Sequence, residues 1–250
     1  MNRVRAGLSF SIGLASIACS LFPETAPLVQ AGGTGGVSGA GGSGEAGGTG
    51  GASGSGGAAG CGGVQSLTLE AARDTYIVDT PPNSNHGSKK ILEILTYDST
   101  SGHRALVAFD TSNLPGGTQL LKATLKLGVV LNGGATQDIG THRLQKSWTE
   151  DGAGWLRFDG STKWATSGGD FSPASAQAPV GPSIKAGDTL SWDVTTDVAS
   201  MLAGSNASDG WLLKPLVDDP LDGEELHLAS RESPDPSARP KLELSYLVCP

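Results

Sequence analysis

Cations are scarce in this chain: 17 lysines and arginines stand against 25 aspartates and glutamates, for a formal charge of −8. No dense basic patch interrupts the deficit, and an acidic surface of this kind repels phosphates, which excludes nucleic acid as a partner. Histidine is also sparse. His86, His103, His142 and His227 share no metal-ligand spacing with one another or with cysteine, so no zinc site is expected. The GxSxG nucleophile elbow and the Gly-Lys-Ser/Thr phosphate loop are both missing, which removes two common signatures of hydrolases and nucleotide-binding proteins. The apolar run Leu8 to Ile17 is too short to span a bilayer.

Glycine, by contrast, is abundant and unevenly spread: 18 of the 38 glycines fall between Ala31 and Gly63. That stretch holds one charged residue, Glu45, and no aromatic, so it cannot bury enough apolar surface to offset the entropy of ordering it. It reads as a disordered linker with a root-mean-square span of roughly 30 Å. Two GxGxxG matches inside it neither follow a strand nor open a helix, and are accidents of composition. Ahead of the linker, Met1 to Ala18 has the form of a signal peptide: Arg3 and Arg5, the short apolar run, then small residues. Its end, Ala15-Ser16-Ile17-Ala18-Cys19, looks like a bacterial lipobox with Ser16 where leucine is usual. Lipid attachment at Cys19 is one reading, and simple cleavage after Ala18 or Ala31 is the other. The organisation expected is a signal peptide over residues 1–18, a lipid-attachment cysteine and linker over 19–63, and one domain over 64–250.

Three cysteines are odd for an exported protein, but subtracting a lipidated Cys19 leaves Cys61 and Cys249, which bracket the domain. A disulfide between them would close the domain's ends, with two free thiols as the alternative.

Within the domain the clearest periodicity is Leu121, Ala123, Leu125, Leu127, Val129 and Leu131 alternating with polar residues and glycine, the period of two of a half-buried strand. Leu190-Trp192-Val194, Leu226-Leu228 and Leu242-Leu244-Tyr246 repeat it, and shorter runs lie at Asp74–Val78, Ile91–Tyr97, Arg104–Asp110, Ile139–Gln145 and Trp211–Leu216. One segment invites a helix, where Thr195 or Thr196 can cap a turn or two carrying Val198, Met201 and Leu202 before Gly204. About nine strands without βαβ alternation predict an all-β, antiparallel β-sandwich of jelly-roll type with one short helix.

Several phrases occur in an order that resembles the DNRLRE, or disaggregatase-related, domains, which overlap the family 96 carbohydrate-binding modules of bacterial and archaeal surface proteins. They are Arg73-Asp74-Thr75-Tyr76-Ile77, Asn83-Ser84-Asn85-His86-Gly87, Arg104 to Asp110, Trp148-Thr149-Glu150, Trp164 to Phe171, Trp192 to Thr195, Asp209 to Lys214, Ser230-Arg231-Glu232 and Arg239-Pro240. The string that names the family is absent, with Ser230-Arg231-Glu232 its nearest echo, so no role is carried over from it. The resemblance implies a β-sandwich that binds polysaccharide, in some members an acidic one such as alginate.

An acidic protein that holds an acidic polymer must gather its few cations locally, and charge-assisted, often bidentate bonds would do the holding. Arg104, Arg143 and Arg231 on strands, with Lys90, Lys163 and Trp164 from loops, are the expected carbohydrate contacts. Arg231 is placed with His227 on the polar face of one strand. Trp155 and Trp164, in the loop-rich region from Thr149 to Pro182, are each open to a stacking role, while Trp192 and Trp211 fall in core phase. Each cation has the alternative of a structural ion pair. Glu150 and Asp151 beside Trp148 and Trp155 form the most suggestive carboxylate pair for glycoside chemistry, against a plain turn over core aromatics. No cofactor is expected, although structural calcium has two loops that suit it: Asp218, Asp219, Asp222 and Glu224, and Asp79, Asn83 and Asn85, neither with EF-hand spacing.

The function expected is thus a non-catalytic polysaccharide-binding lipoprotein at the cell surface or outer membrane, monomeric, touching the membrane only through its lipid. An adhesive module with a protein partner and a polysaccharide-degrading enzyme are the competing classes.

Overall fold

The computed structural model describes residues 60–98, 101–204, 209–217 and 225–249. The chain divides into units over residues 1–54 and 55–250, and every described residue belongs to the second. Cys19 and the acidic loop from Asp218 to Glu224 lie outside the described residues. Among the described residues no helix is long and apolar enough to cross a membrane.

Among the described residues eleven strands and one helix follow in the order β1 (Gln65–Glu70), β2 (Arg73–Val78), β3 (Ile91–Asp98), β4 (Ser101–Ala108), β5 (Thr118–Asn132), β6 (Ile139–Leu144), β7 (Phe171–Ala178), β8 (Thr189–Asp193), α1 (Thr195–Leu202), β9 (Trp211–Pro215), β10 (Leu226–Ala229) and β11 (Lys241–Val248). All pairings are antiparallel, and the sheet curls through the order β1-β11-β5-β10-β3-β4-β9-β6-β7, with β2 also on β4 and β8 also on β5. The expected antiparallel β architecture with one short helix is what forms.

The two strands that sequence periodicity does not reveal, β1 and β7, are the two ends of that order. An end strand pairs on one side only and buries little, so its apolar pattern is weak. β7 even carries Pro173, whose missing N–H is tolerated at an edge. The helix is where it is expected, but no threonine caps it. Val194 is the N-cap without a side-chain bond, and Thr195 Oγ1 turns back to Asp193 Oδ1 at 2.6 Å.

The long strand β5 buries Ala123, Leu125, Leu127 and Val129 as its alternation requires. Leu121 and Leu131, in the same phase, are instead 45% and 39% exposed. The cause is register. The ladder skips one residue between Ser245 and Tyr246, opposite Leu121, and another between His227 and Leu228, opposite Val130. One extra residue reverses which side chains face inward.

Two cores result. The larger lies between the layers and takes Leu125, Trp192, Trp211, Leu213 and Leu242 among others. The second forms on the other face of β2, β4 and β9, where Ile77, Leu106 and Leu212 meet Leu144, Trp148, Trp155 and Trp164. Here the segment between β6 and β7 folds back over the sheet. Runs such as Ala105–Phe109 and Trp211–Leu213 are therefore apolar without alternation because both their faces are covered.

Candidate functional site: a cationic cleft beside the covering segment

Strands β4 and β9 pair with Ala105 opposite Leu213 and Leu106 opposite Leu212. Continuing that ladder by one residue places Arg104 and Lys214 at the same level on neighbouring strands. Both share the parity of Leu106 and Leu212, so both point to the face covered by the 145–170 segment. They floor a cleft of about 540 Å³ whose wall includes Lys146, Thr166, Asp170 and Phe171.

Among the described residues that line the cleft, three carry positive charge and one, Asp170, carries negative charge. Asp170 is held within its own loop: its Oδ2 accepts from the Ala165 amide at 2.9 Å and its Oδ1 from the Thr166 amide at 2.8 Å. The buried Arg104 donates from Nη1 to the Gly168 carbonyl at 2.8 Å, with its guanidinium 4.6 Å from the Trp155 ring and 5.5 Å from that of Phe171. The buried Lys214 donates to the Pro215 carbonyl at 3.2 Å. Lys146 is exposed. Two cations thus stand on adjacent strands with a third at the rim, in a chain of net charge −8. Gly168 must stay glycine for this floor to form, since it sits at φ +88 and a Cβ there would fall 2.5 Å from Arg104 Nη1.

The other expected contacts do not gather here. Arg143 pairs with Trp211 across β6 and β9 and so faces the larger core, where its Nε meets Asp197 Oδ1 at 3.3 Å. Lys163 is exposed on the covering segment, at an isolated bridge with Arg157. Lys90 is exposed at a separate cleft beside Gly128 and Ser237. Trp164 is 5% exposed and donates its indole N–H to the Gly154 carbonyl at 2.9 Å, and Trp155 is 4% exposed, so neither offers a free ring face. Of the expected set only Arg104 lines the cationic cleft. Lys146 and Lys214 were overlooked, and Lys214 carried a signal: a lysine at the end of the apolar run Trp211-Leu212-Leu213 sits where the period of two alone gives no reason for charge.

Arg231 has a different role. β10 ends at Ala229, which puts Arg231 in the following turn rather than beside His227 on a strand. Its Nη1 reaches Glu150 Oε2 at 3.1 Å and the Ala72 carbonyl at 2.6 Å, its Nε reaches Glu232 Oε1 at 3.2 Å, and its amide donates to Asp74 Oδ2 at 2.7 Å. Glu150 also accepts from the Asp74 amide at 2.8 Å. Burial, reinforced by Glu232 and Glu150 against the opposing Arg231 amide, pushes the Asp74 carboxyl up to about 8. Glu150 is thus an internal tie, and Asp74, at 1% exposure, is beyond the reach of a sugar ring. Of the calcium loop offered by Asp79, Asn83 and Asn85, Asn85 is spent on the carbonyls of Glu150 and Ala153 at 2.7 and 3.3 Å.

Residues 65–246 match the family model described as carbohydrate-binding module family 96. No curated protein gives a significant match to the chain.

Proposed function

The chain belongs to carbohydrate-binding module family 96, and from that premise we propose that its β domain holds an acidic polysaccharide, without cleaving it, in the cleft floored by Arg104 and Lys214. The observation that carries the acidic preference is the charge of the described residues lining that cleft, three cations to one internally bonded carboxylate. Uronate carboxylates would take charge-assisted bonds from Lys146 and Lys214, and the half-buried Phe171 ring offers an apolar surface for a sugar's C–H face. Affinity electrophoresis through alginate, pectin and neutral glucan gels tests this. Retardation is expected in the acidic gels alone, weakening as salt rises. Lys214→Met should cost about 1.5–3 kcal/mol of binding, or roughly 10- to 150-fold, because a charge-assisted bond in a partly buried site is lost. Equal affinity of this variant and the parent for acidic glycan would remove the cleft from consideration.

Export and anchoring rest on residues 1–19 alone. On our reading the chain is carried to the cell surface, lipidated at Cys19 and held there as a monomer at the end of its glycine-rich tether. Two acyl chains suffice for a stable anchor. Cys19→Ser should therefore move the protein from the membrane to the soluble fraction, and retention of the variant in membranes would refute lipidation as the anchor.

A further inference from the structure

One carboxylate oxygen from each of Asp74, Glu150 and Glu232 lies within 4.8 Å of the other two. Ligand oxygens about 2.4 Å from a calcium ion stand at most about 4.8 Å apart, so the three fit one coordination sphere. Proximity of acidic groups is a common surface feature, but here it is joined by a second observation. Asp74 is 1% exposed, and its Oδ1 is buried and takes no hydrogen bond among the described residues; the same is true of the buried Glu232 Oε2. A buried carboxylate oxygen with no donor is costly, and an ion is one of the few occupants that satisfies it. Once an ion displaces the proton that burial holds on Asp74 up to about pH 8, the three carboxylates outweigh the single charge of Arg231 by two, the charge of a divalent ion.

We propose that Asp74, Glu150 and Glu232 form a structural divalent-cation site, selective for calcium, that fastens the covering segment to the sandwich. The ligands are all hard carboxylate oxygens from three separate segments: the start of β2, the head of the covering segment and the turn between β10 and β11. Such a flexible oxygen set suits calcium, which accepts six to eight oxygens in irregular geometry, better than magnesium, which requires a near-ideal octahedron, or zinc, which favours nitrogen and sulfur. Glu150 is already held in position, since a Cβ at Gly87 would lie 2.7 Å from Glu150 Cγ and 2.5 Å from its carbonyl oxygen. The site is independent of the glycan reading, because none of its ligands lines the cationic cleft.

The test uses the full-length chain without polysaccharide, so that its failure and that of the glycan reading are distinguishable. After chelator treatment, about 10 mM calcium should raise the unfolding temperature by roughly 5 °C or more, as expected for a site of about 10⁻⁴ M affinity. Terbium should show saturable luminescence on excitation of tryptophan, because Trp148 is two residues from Glu150, and calcium should displace it. Glu232→Gln should abolish both responses. This side chain is 28% exposed and tolerates the change better than Asp74. Asp74→Asn is the companion variant, and where it fails to fold, Glu232→Gln decides. No calcium stabilisation of the parent overturns the site. So does a response that persists undiminished in Glu232→Gln, which would point to the acidic loop from Asp218 to Glu224 instead.

Discussion

Replacing both Cys61 and Cys249 by serine is expected to lower the stability of the domain by about 5 kcal/mol, at the upper end of what a single crosslink contributes. The two residues are bonded, with Cα atoms 4.2 Å apart and a sequence separation of 188. In the chain-entropy account, the constraint such a bond places on the unfolded chain grows with the logarithm of the loop, and this loop encloses nearly the whole domain. The folded side of the balance agrees. β1 pairs with β11 alone, through the ladder from Gln65 opposite Tyr246 to Glu70 opposite Lys241. Just beyond it, the Gly62 amide donates to the Val248 carbonyl at 2.9 Å and the Cys249 amide to the Gly117 carbonyl at 3.0 Å. Without the bond this end strand is free to fray. Urea unfolding of parent and double variant should show a lower midpoint, and thermal unfolding a fall of roughly 10–20 °C for a domain of this size. A loss below about 1 kcal/mol would mean that the sandwich holds its ends without the crosslink.

Trp164→Ala should destabilise the domain by about 3–5 kcal/mol, the usual cost of removing a large aromatic from a packed interior. Trp164 packs in the second core with its ring 5.4 Å from that of Phe158, and the change also leaves the Gly154 carbonyl without its indole donor. An exposed sugar platform would respond differently, losing glycan affinity at unchanged stability. Both quantities are measurable on the same variant. A stability loss is the expected result, with weaker glycan binding following only where the cleft wall at Thr166 and Asp170 loosens. An unfolding midpoint equal to the parent's would be incompatible with the buried position.

The misplacement of Trp164 shows what kind of information sequence periodicity lacks. Trp192 and Trp211 lie in strands whose alternation announces their burial, and both are buried, at 0% and 1% exposure. Trp155 and Trp164 lie in a segment without regular structure of its own, so nothing local states whether the segment stands in solvent or folds back. Their burial is decided by β2, β4 and β9, residues far away in the chain, whose outer apolar face needs a cover. The continuous runs from Ala105 and Trp211 were the trace of that need, legible as strands buried on both faces but silent on what buries them.

The phrases that carried the family resemblance converge in space in the same way. Asn85, Gly87, Glu150 and Arg231 come from three of them and meet around Asp74. Arg104, Asp170 and Lys214 come from three others and meet in the cationic cleft. Arg231, Arg143 and Arg104 are alike as sequence, each an arginine among polar or strand residues, yet each has a different office in the fold. Side-chain chemistry determines that an arginine seeks an anion. It does not determine which anion is within reach.

By itself the sequence determined the all-β class and the approximate places of nine strands and the helix, and it pointed to the pairing of Cys61 with Cys249 and to the family, because each depends on local periodicity, on counting or on ordered short motifs. The tertiary structure alone decided the phase reversals at Leu121 and Leu131, the burial of Trp155 and Trp164, the separation of Arg104 from Arg143 and Arg231, and the meeting of three carboxylates at Asp74. These depend on which distant strands pair and in what register, and a shift of a single residue there moves a side chain from one face of the sheet to the other.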